Sequence, residues 1–175
     1  MVNDMEIRRD EYLERLIVRK HNGFIKVITG IRRCGKSYLL FNIFYKHLIA
    51  SGVDAEHIIR IDLEDRRQKA LRDPDALLAH IDSQMQDDKM YYILLDEVQL
   101  VPEFEDVLNS YLKIENADVY VTGSNSKFLS KDVITEFRGR GDEIHVYPLS
   151  LREICEADPQ LSWQQAWELY LQYGG

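Results

Sequence analysis

The sequence predicts an α/β domain built on a parallel β-sheet, and three observations carry that prediction. The first is the octapeptide from Gly30 to Ser37, GIRRCGKS, set between a β-branched run at residues 24–29 and a helical pattern of apolar residues at 38–50. The second is the run Tyr91-Tyr92-Ile93-Leu94-Leu95, which ends on Asp96 and Glu97. A strand that is apolar throughout is buried on both faces, as parallel strands are. Acids at its carboxyl end fit a sheet that opens onto a site there, because charge inside the sheet is costly. The third is the alternation of further strand and helix patterns along the whole chain.

In order, the spacing of Ile7, Tyr12, Leu13, Leu16 and Ile17 predicts an amphipathic helix over 6–20, closed by a left-handed cap at Asn22 and Gly23. Strand, glycine loop and helix follow, with Leu39, Leu40, Ile43, Phe44 and Leu48 at helical spacing and a break at Ser51-Gly52. A second strand covers 58–63 and leaves Glu64 and Asp65 at its end. Asp73 caps and Pro74 opens a helix whose apolar face is Leu77, Leu78, Ile81 and Met85. After the 91–97 strand come a helix at 103–113, a strand at 118–122 ending in Gly123-Ser124-Asn125-Ser126, and a short helical stretch. The Phe137-Arg138-Gly139-Arg140-Gly141 segment leads into a fifth strand at 143–147. The tail is helical around Trp163 and Trp167.

GIRRCGKS matches the phosphate-cradling pattern G-x-x-x-x-G-K-[ST] at every fixed position. Gly30 and Gly35 permit backbone conformations closed to side chains, so that N–H groups converge on phosphate oxygens at a helix N-terminus. Ile31, Arg32, Arg33, Cys34 and, beyond the lysine, Tyr38 complete the expected nucleotide-binding stretch. Lys36 is expected to reach the β- and γ-phosphates of ATP, and Ser37 to ligate Mg²⁺ through its hydroxyl. Cys34, beside a helix N-terminus, is expected to be a reactive thiol whose modification blocks ATP; the alternative is an inert packing residue.

Asp96 is the second expected Mg²⁺ residue, and Glu97 is placed to polarise the water that attacks the γ-phosphate. At the end of the fourth strand, Ser124 and Asn125 either contact the γ-phosphate or attacking water or simply make a turn. Arginine best stabilises charge spreading over a transferring phosphoryl group, which makes Arg140, and after it Arg138, the candidate finger; the alternative is a solvated basic turn.

Net charge is −8, but between Ile7 and Lys36 nine Lys or Arg face three acids, as suits a polyphosphate. Residues 73–118 are acidic instead, so that self-association through complementary faces competes with a plain solvated surface. No basic stripe of the nucleic-acid-binding kind stands out, and no apolar run reaches the roughly 20 residues of a membrane span. The charged start of the chain predicts a cytoplasmic protein. Two cysteines and five scattered histidines form no disulfide or metal framework.

GIRRCGKS, YYILLDEVQ, VTGSNSKFLS, the Gly139-Arg140 turn and HVYPLSLREI, in this order, resemble the ATPase half of a prokaryotic AAA-type family whose members usually carry a C-terminal domain of uncharacterised function. The resemblance covers nearly the whole chain. It implies a three-layer P-loop fold with a five-stranded parallel sheet in the order 5-1-4-3-2, preceded by the N-terminal helix. It also implies site roles for Lys36, Ser37, Asp96, Glu97 and Asn125. Arg138 stands where the family usually has a small or hydroxyl residue, which leaves the choice of finger open. Residues 1–175 are expected to be one ATPase domain with a core over about 22–150, its helical end starting a following region of a longer protein. Three functions remain in view: an ATPase that moves a partner or attached domain, a nucleotide-dependent switch that hydrolyses little, and a small-molecule kinase. Glu97 after Asp96 favours the first, and a homo-oligomer is compatible with it.

Overall fold

The computed structural model describes residues 7–124, 137, 139–158 and 160–173. Its centre is one parallel sheet of β1 (Ile25–Thr29), β2 (Ile58–Asp62), β3 (Tyr91–Asp96), β4 (Ala117–Thr122) and β5 (Gly141–His145), in the order β2-β3-β4-β1-β5. This is the expected order read from the opposite edge. With β4 between β1 and β3, Thr122 at the end of β4 lies between the loop after β1 and the acids after β3.

Helices cover both faces. On one face α1 (Asp10–Ile17) packs with the helix that leaves the glycine loop. That helix runs as α2 (Lys36–Tyr38), a π-helical stretch (Leu39–Phe44) and α3 (Tyr45–Ala50). The other face carries α4 (Pro74–Gln84) and α5 (Phe104–Tyr111). Side-chain alternation along β3 sends Tyr91, Ile93 and Leu95 into the second layer's core, and Tyr92 and Leu94 into the first. The unbroken apolar run thus fills two cores, each buried side chain contributing about 1.5–3 kcal/mol. After β5 come α6 (Leu151–Ala157) and α7 (Trp163–Tyr173).

Local chemistry sets most boundaries. The Asp73 carboxylate accepts from the Ala76 N–H at 2.9 Å, with Pro74 in the first turn. Ser150 and Glu153 form a capping box at the start of α6. Lys26 is tolerated inside the sheet because its ammonium pairs with the Asp118 carboxylate, donates to the Phe24 carbonyl at 2.9 Å and lies 5.0 Å over the Tyr120 ring. Burial pulls its pKa down, and Asp118 opposes that pull.

Three expectations are corrected. Among the described residues the first helix begins at Asp10, because Arg9 is left-handed (φ 50), and it ends at Ile17 rather than residue 20. The left-handed residues after it are His21 and Gly23, not Asn22 (φ 57 and 73). The Asn22 side chain instead accepts from the Phe24 N–H at 3.0 Å. Finally, β5 starts at Gly141, which pairs with Ile25 at the first position of β1.

Candidate functional site

The glycine loop folds around its own lysine. Gly30 has φ +145, and a Cβ there would lie 2.3 Å from the Val146 carbonyl oxygen and 2.8 Å from the Cys34 sulfur. Gly30→Ala is therefore expected to cost a few kcal/mol of stability, a clear drop in the melting temperature by circular dichroism. Gly35 has φ +91 and opens α2. Lys36 is buried, and its ammonium donates to the carbonyls of Gly30 at 3.2 Å and Ile31 at 3.0 Å. The tips of Ile31, Arg32 and Arg33 face solvent, and Arg32 bridges to Glu64 at 3.1 Å.

The acids sit one strand away. Asp96 is buried; its carboxylate accepts from the Thr122 hydroxyl at 2.5 Å and from the Ser37 hydroxyl. Burial pushes the Asp96 carboxyl above the usual range. The bonds from Thr122 and Ser37 work against that rise, and the nearby charges of Glu97 and Asp62 add to it. Glu97 is left-handed (φ 54), and its N–H donates to the Thr122 hydroxyl oxygen at 3.0 Å. Its carboxylate accepts from the Ser124 hydroxyl at 2.9 Å and from the Gln99 amide. Lys36, Ser37, Tyr38, Arg32, Glu64 and Glu97 share one open cleft of about 350 Å³. An apolar recess of about 200 Å³, walled by Ile7, Arg9, Arg33, Cys34, Tyr38 and Leu149, also opens beside Gly35.

The structure thus brings together Gly30, Gly35, Lys36, Ser37, Asp96 and Glu97. It does not bring Arg140 to them. Arg140 is exposed, and its carbonyl accepts from the Ile25 N–H at 2.9 Å, at the amino-terminal edge of the sheet. The five residues of β1 separate that edge from the loop by about 15 Å. Asn125 and Arg138 lie outside the described residues. For Cys34 the burial favours the packing alternative over the reactive thiol: it is 4% exposed and belongs to the core cluster with Leu39 and Leu40. Sequence reasoning gave no role to Thr122, which joins both acids, to Gln99 and Asp62 beside them, or to Arg9 against the loop. Thr122 and Gln99 stood inside two motifs of the family resemblance, VTGSNSKFLS and YYILLDEVQ, and Thr122 also ended a predicted strand.

Comparison with known proteins places this geometry. A family described as AAA domain matches residues 22–155. An uncharacterised protein of Haemophilus influenzae is 36% identical over 152 residues, covering 86% of this chain and 38% of that protein. An uncharacterised protein of Methanocaldococcus jannaschii is 34% identical over 134 residues, covering 75% of this chain and 28% of that protein. The chain therefore spans less than half the length of these relatives. Among solved structures, Cdc6p from Pyrobaculum aerophilum superposes with a TM-score of 0.60 at 12% identity, covering 95% of this chain and 55% of that one. A DNA polymerase III gamma subunit-related protein from Thermotoga maritima gives 0.55 at 13% identity, covering 91% and 57%. At these identities the two structures speak for the fold. No helix among the described residues is long and apolar enough to cross a membrane.

Proposed function

The chain belongs to the AAA domain family of nucleotide-binding, ATPase-type P-loop proteins, and from that premise we propose that it binds ATP with Mg²⁺ and hydrolyses it. The observation that carries the reading is the junction at Thr122, which holds Asp96 and Glu97 side by side while Ser37 of the phosphate loop bonds to Asp96. Lys36 binds the β- and γ-phosphates. The donor set of Ser37 hydroxyl and Asp96 carboxylate, oxygen only and with Asp62 behind it, fits Mg²⁺. Bound there, Mg²⁺ would neutralise charge shared by the β- and γ-phosphates. Glu97 takes a proton from the attacking water as its oxygen bonds to the γ-phosphorus; the bond to the bridging oxygen breaks, leaving ADP and phosphate. The apolar recess beside Gly35 receives the nucleobase.

Asn125 contacts the γ-phosphate or the attacking water on this reading. Arg140, far from its own phosphate loop, serves the site of a neighbouring subunit in a homo-oligomer, with Arg138 the other candidate finger. Hydrolysis moves a protein partner or a C-terminal domain, in a cytoplasmic setting; the length of the relatives supports an attached region. One observation favours a switch that hydrolyses little: the Glu97 carboxylate is already engaged by Ser124 and Gln99. Release of phosphate from Mg-ATP, measured with and without small-molecule acceptors, tests these readings. We expect ADP and phosphate in equal amounts regardless of acceptor. Phosphoryl transfer to an acceptor would show a kinase, and retained ATP without release would show the switch.

A further inference from the structure

Arg9 is 4% exposed although its charge is permanent, and each nitrogen of its guanidinium donates a hydrogen bond. Nη1 donates to the Cys34 carbonyl at 2.6 Å, Nη2 to the Tyr147 carbonyl at 2.6 Å and Nε to Glu153 Oε1 at 2.9 Å. The group lies 4.5 Å from the centre of the Tyr12 ring, and the Tyr12 hydroxyl in turn accepts from the Tyr147 N–H at 3.2 Å. These partners belong to the phosphate loop, the segment after β5, α6 and α1. Pinning down the N-terminal helix would need a single carboxylate, yet here the fork grips the main chain of the loop one residue before Gly35. Because the guanidinium is rigid and planar, moving one acceptor moves the others.

We propose that Arg9 is a positioning residue that sets the Cys34–Gly35 turn for nucleotide and transmits loop movement to α6 through Glu153. The proposal rests on the ATP-binding reading above. Contact at the loop is direct: a Cβ on Gly35 would lie 3.3 Å from Arg9 Nη1, so no intervening group cushions the turn from the arginine. When Lys36 exchanges the Gly30 and Ile31 carbonyls for phosphate, the loop re-settles on its other support, Arg9. At the far end Glu153 divides its carboxylate. Oε1 takes Arg9, and Oε2 takes the Ser150 N–H at 2.8 Å and the Ser150 hydroxyl at 2.9 Å, the cap of α6. Burial pushes the Glu153 carboxyl up, but the bonds from Ser150 and then Arg9 outweigh it and hold the group below its usual range, ionised at neutral pH. Helix α6 packs on α7, which carries both tryptophans of the chain, Trp163 and Trp167, stacked 5.8 Å apart and exposed. Their fluorescence reports on this end of the linkage.

The experiment records tryptophan emission as the protein is saturated with Mg²⁺ and a non-hydrolysable ATP analogue, while calorimetry measures the affinity independently. Wild type is expected to bind and to change its emission. Glu153→Ala is expected to bind more weakly than wild type, because Arg9 loses one of its buried acceptors, and to lose most of the emission change even when calorimetry shows it saturated. Ser150→Ala weakens the cap but keeps the Arg9–Glu153 bridge, and should retain the change. Arg9→Lys should bind about tenfold more weakly, since an ammonium cannot fork to the Cys34 and Tyr147 carbonyls. A full emission change in Glu153→Ala overturns the coupling, as does its loss in Ser150→Ala, which would reduce the effect to helix stability. Wild-type binding without any emission change also overturns it and leaves the ATP reading standing. Wild type that binds no nucleotide overturns both.

Discussion

Glu97→Gln is expected to bind ATP with wild-type affinity and to hydrolyse it about 10²- to 10⁴-fold more slowly, the usual cost of losing a general base. The substitution conserves size, and the backbone bond from residue 97 to Thr122 does not depend on the side chain. The left-handed turn after β3 is therefore kept, and a rate loss reports chemistry rather than misfolding. The interaction removed is one made with the attacking water, so it acts on the transition state and leaves ground-state binding alone. Single-turnover hydrolysis at saturating ATP is the measurement. A rate within about threefold of wild type would take Glu97 out of the mechanism and move the reading to the switch, since a true base is worth orders of magnitude.

Lys36→Ala is expected to remove detectable nucleotide binding. Two charge-assisted bonds to phosphate at about 1.5–3 kcal/mol each correspond to a loss of roughly 10²- to 10⁴-fold in affinity. The structure adds a second consequence. The lysine is buried and satisfies the Gly30 and Ile31 carbonyls, so alanine leaves those acceptors to water and loosens the loop. Strands β1 and β3, with their cores on both faces, do not depend on it, and the circular dichroism spectrum should be retained. Titration calorimetry on the folded variant decides the matter: affinity equal to wild type would sink the assignment of Gly30 to Ser37 as the phosphate site.

Much of this architecture is written locally. The β-branched run, the glycine loop and the helical spacing after it specify strand, turn and helix, because backbone sterics and side-chain periodicity act between near neighbours. The apolar residues Tyr91 to Leu95 needed burial on both faces, and Asp96 and Glu97 needed an exit from the sheet; together they announced both the layers and the site end of β3. The strand order came with the resemblance carried by the motifs.

Other features exist only in three dimensions. Thr122 joins the two acids because β4 lies between β1 and β3, a neighbourhood no sequence spacing encodes. Cys34 sits beside a helix N-terminus in the chain, yet the turn at Gly30 folds its sulfur into the core. Arg140 follows the site motifs in sequence, but a parallel strand starts at the edge opposite to the phosphate loop, and so the arginine starts there too. Arg9 and Glu153 are 144 residues apart, and either could equally have been a solvated surface charge. Periodicity and turn chemistry act over a few residues, whereas desolvation and charge pairing depend on what the finished fold places beside each group; the local rules therefore determined the elements, and only the assembled structure decided their partners.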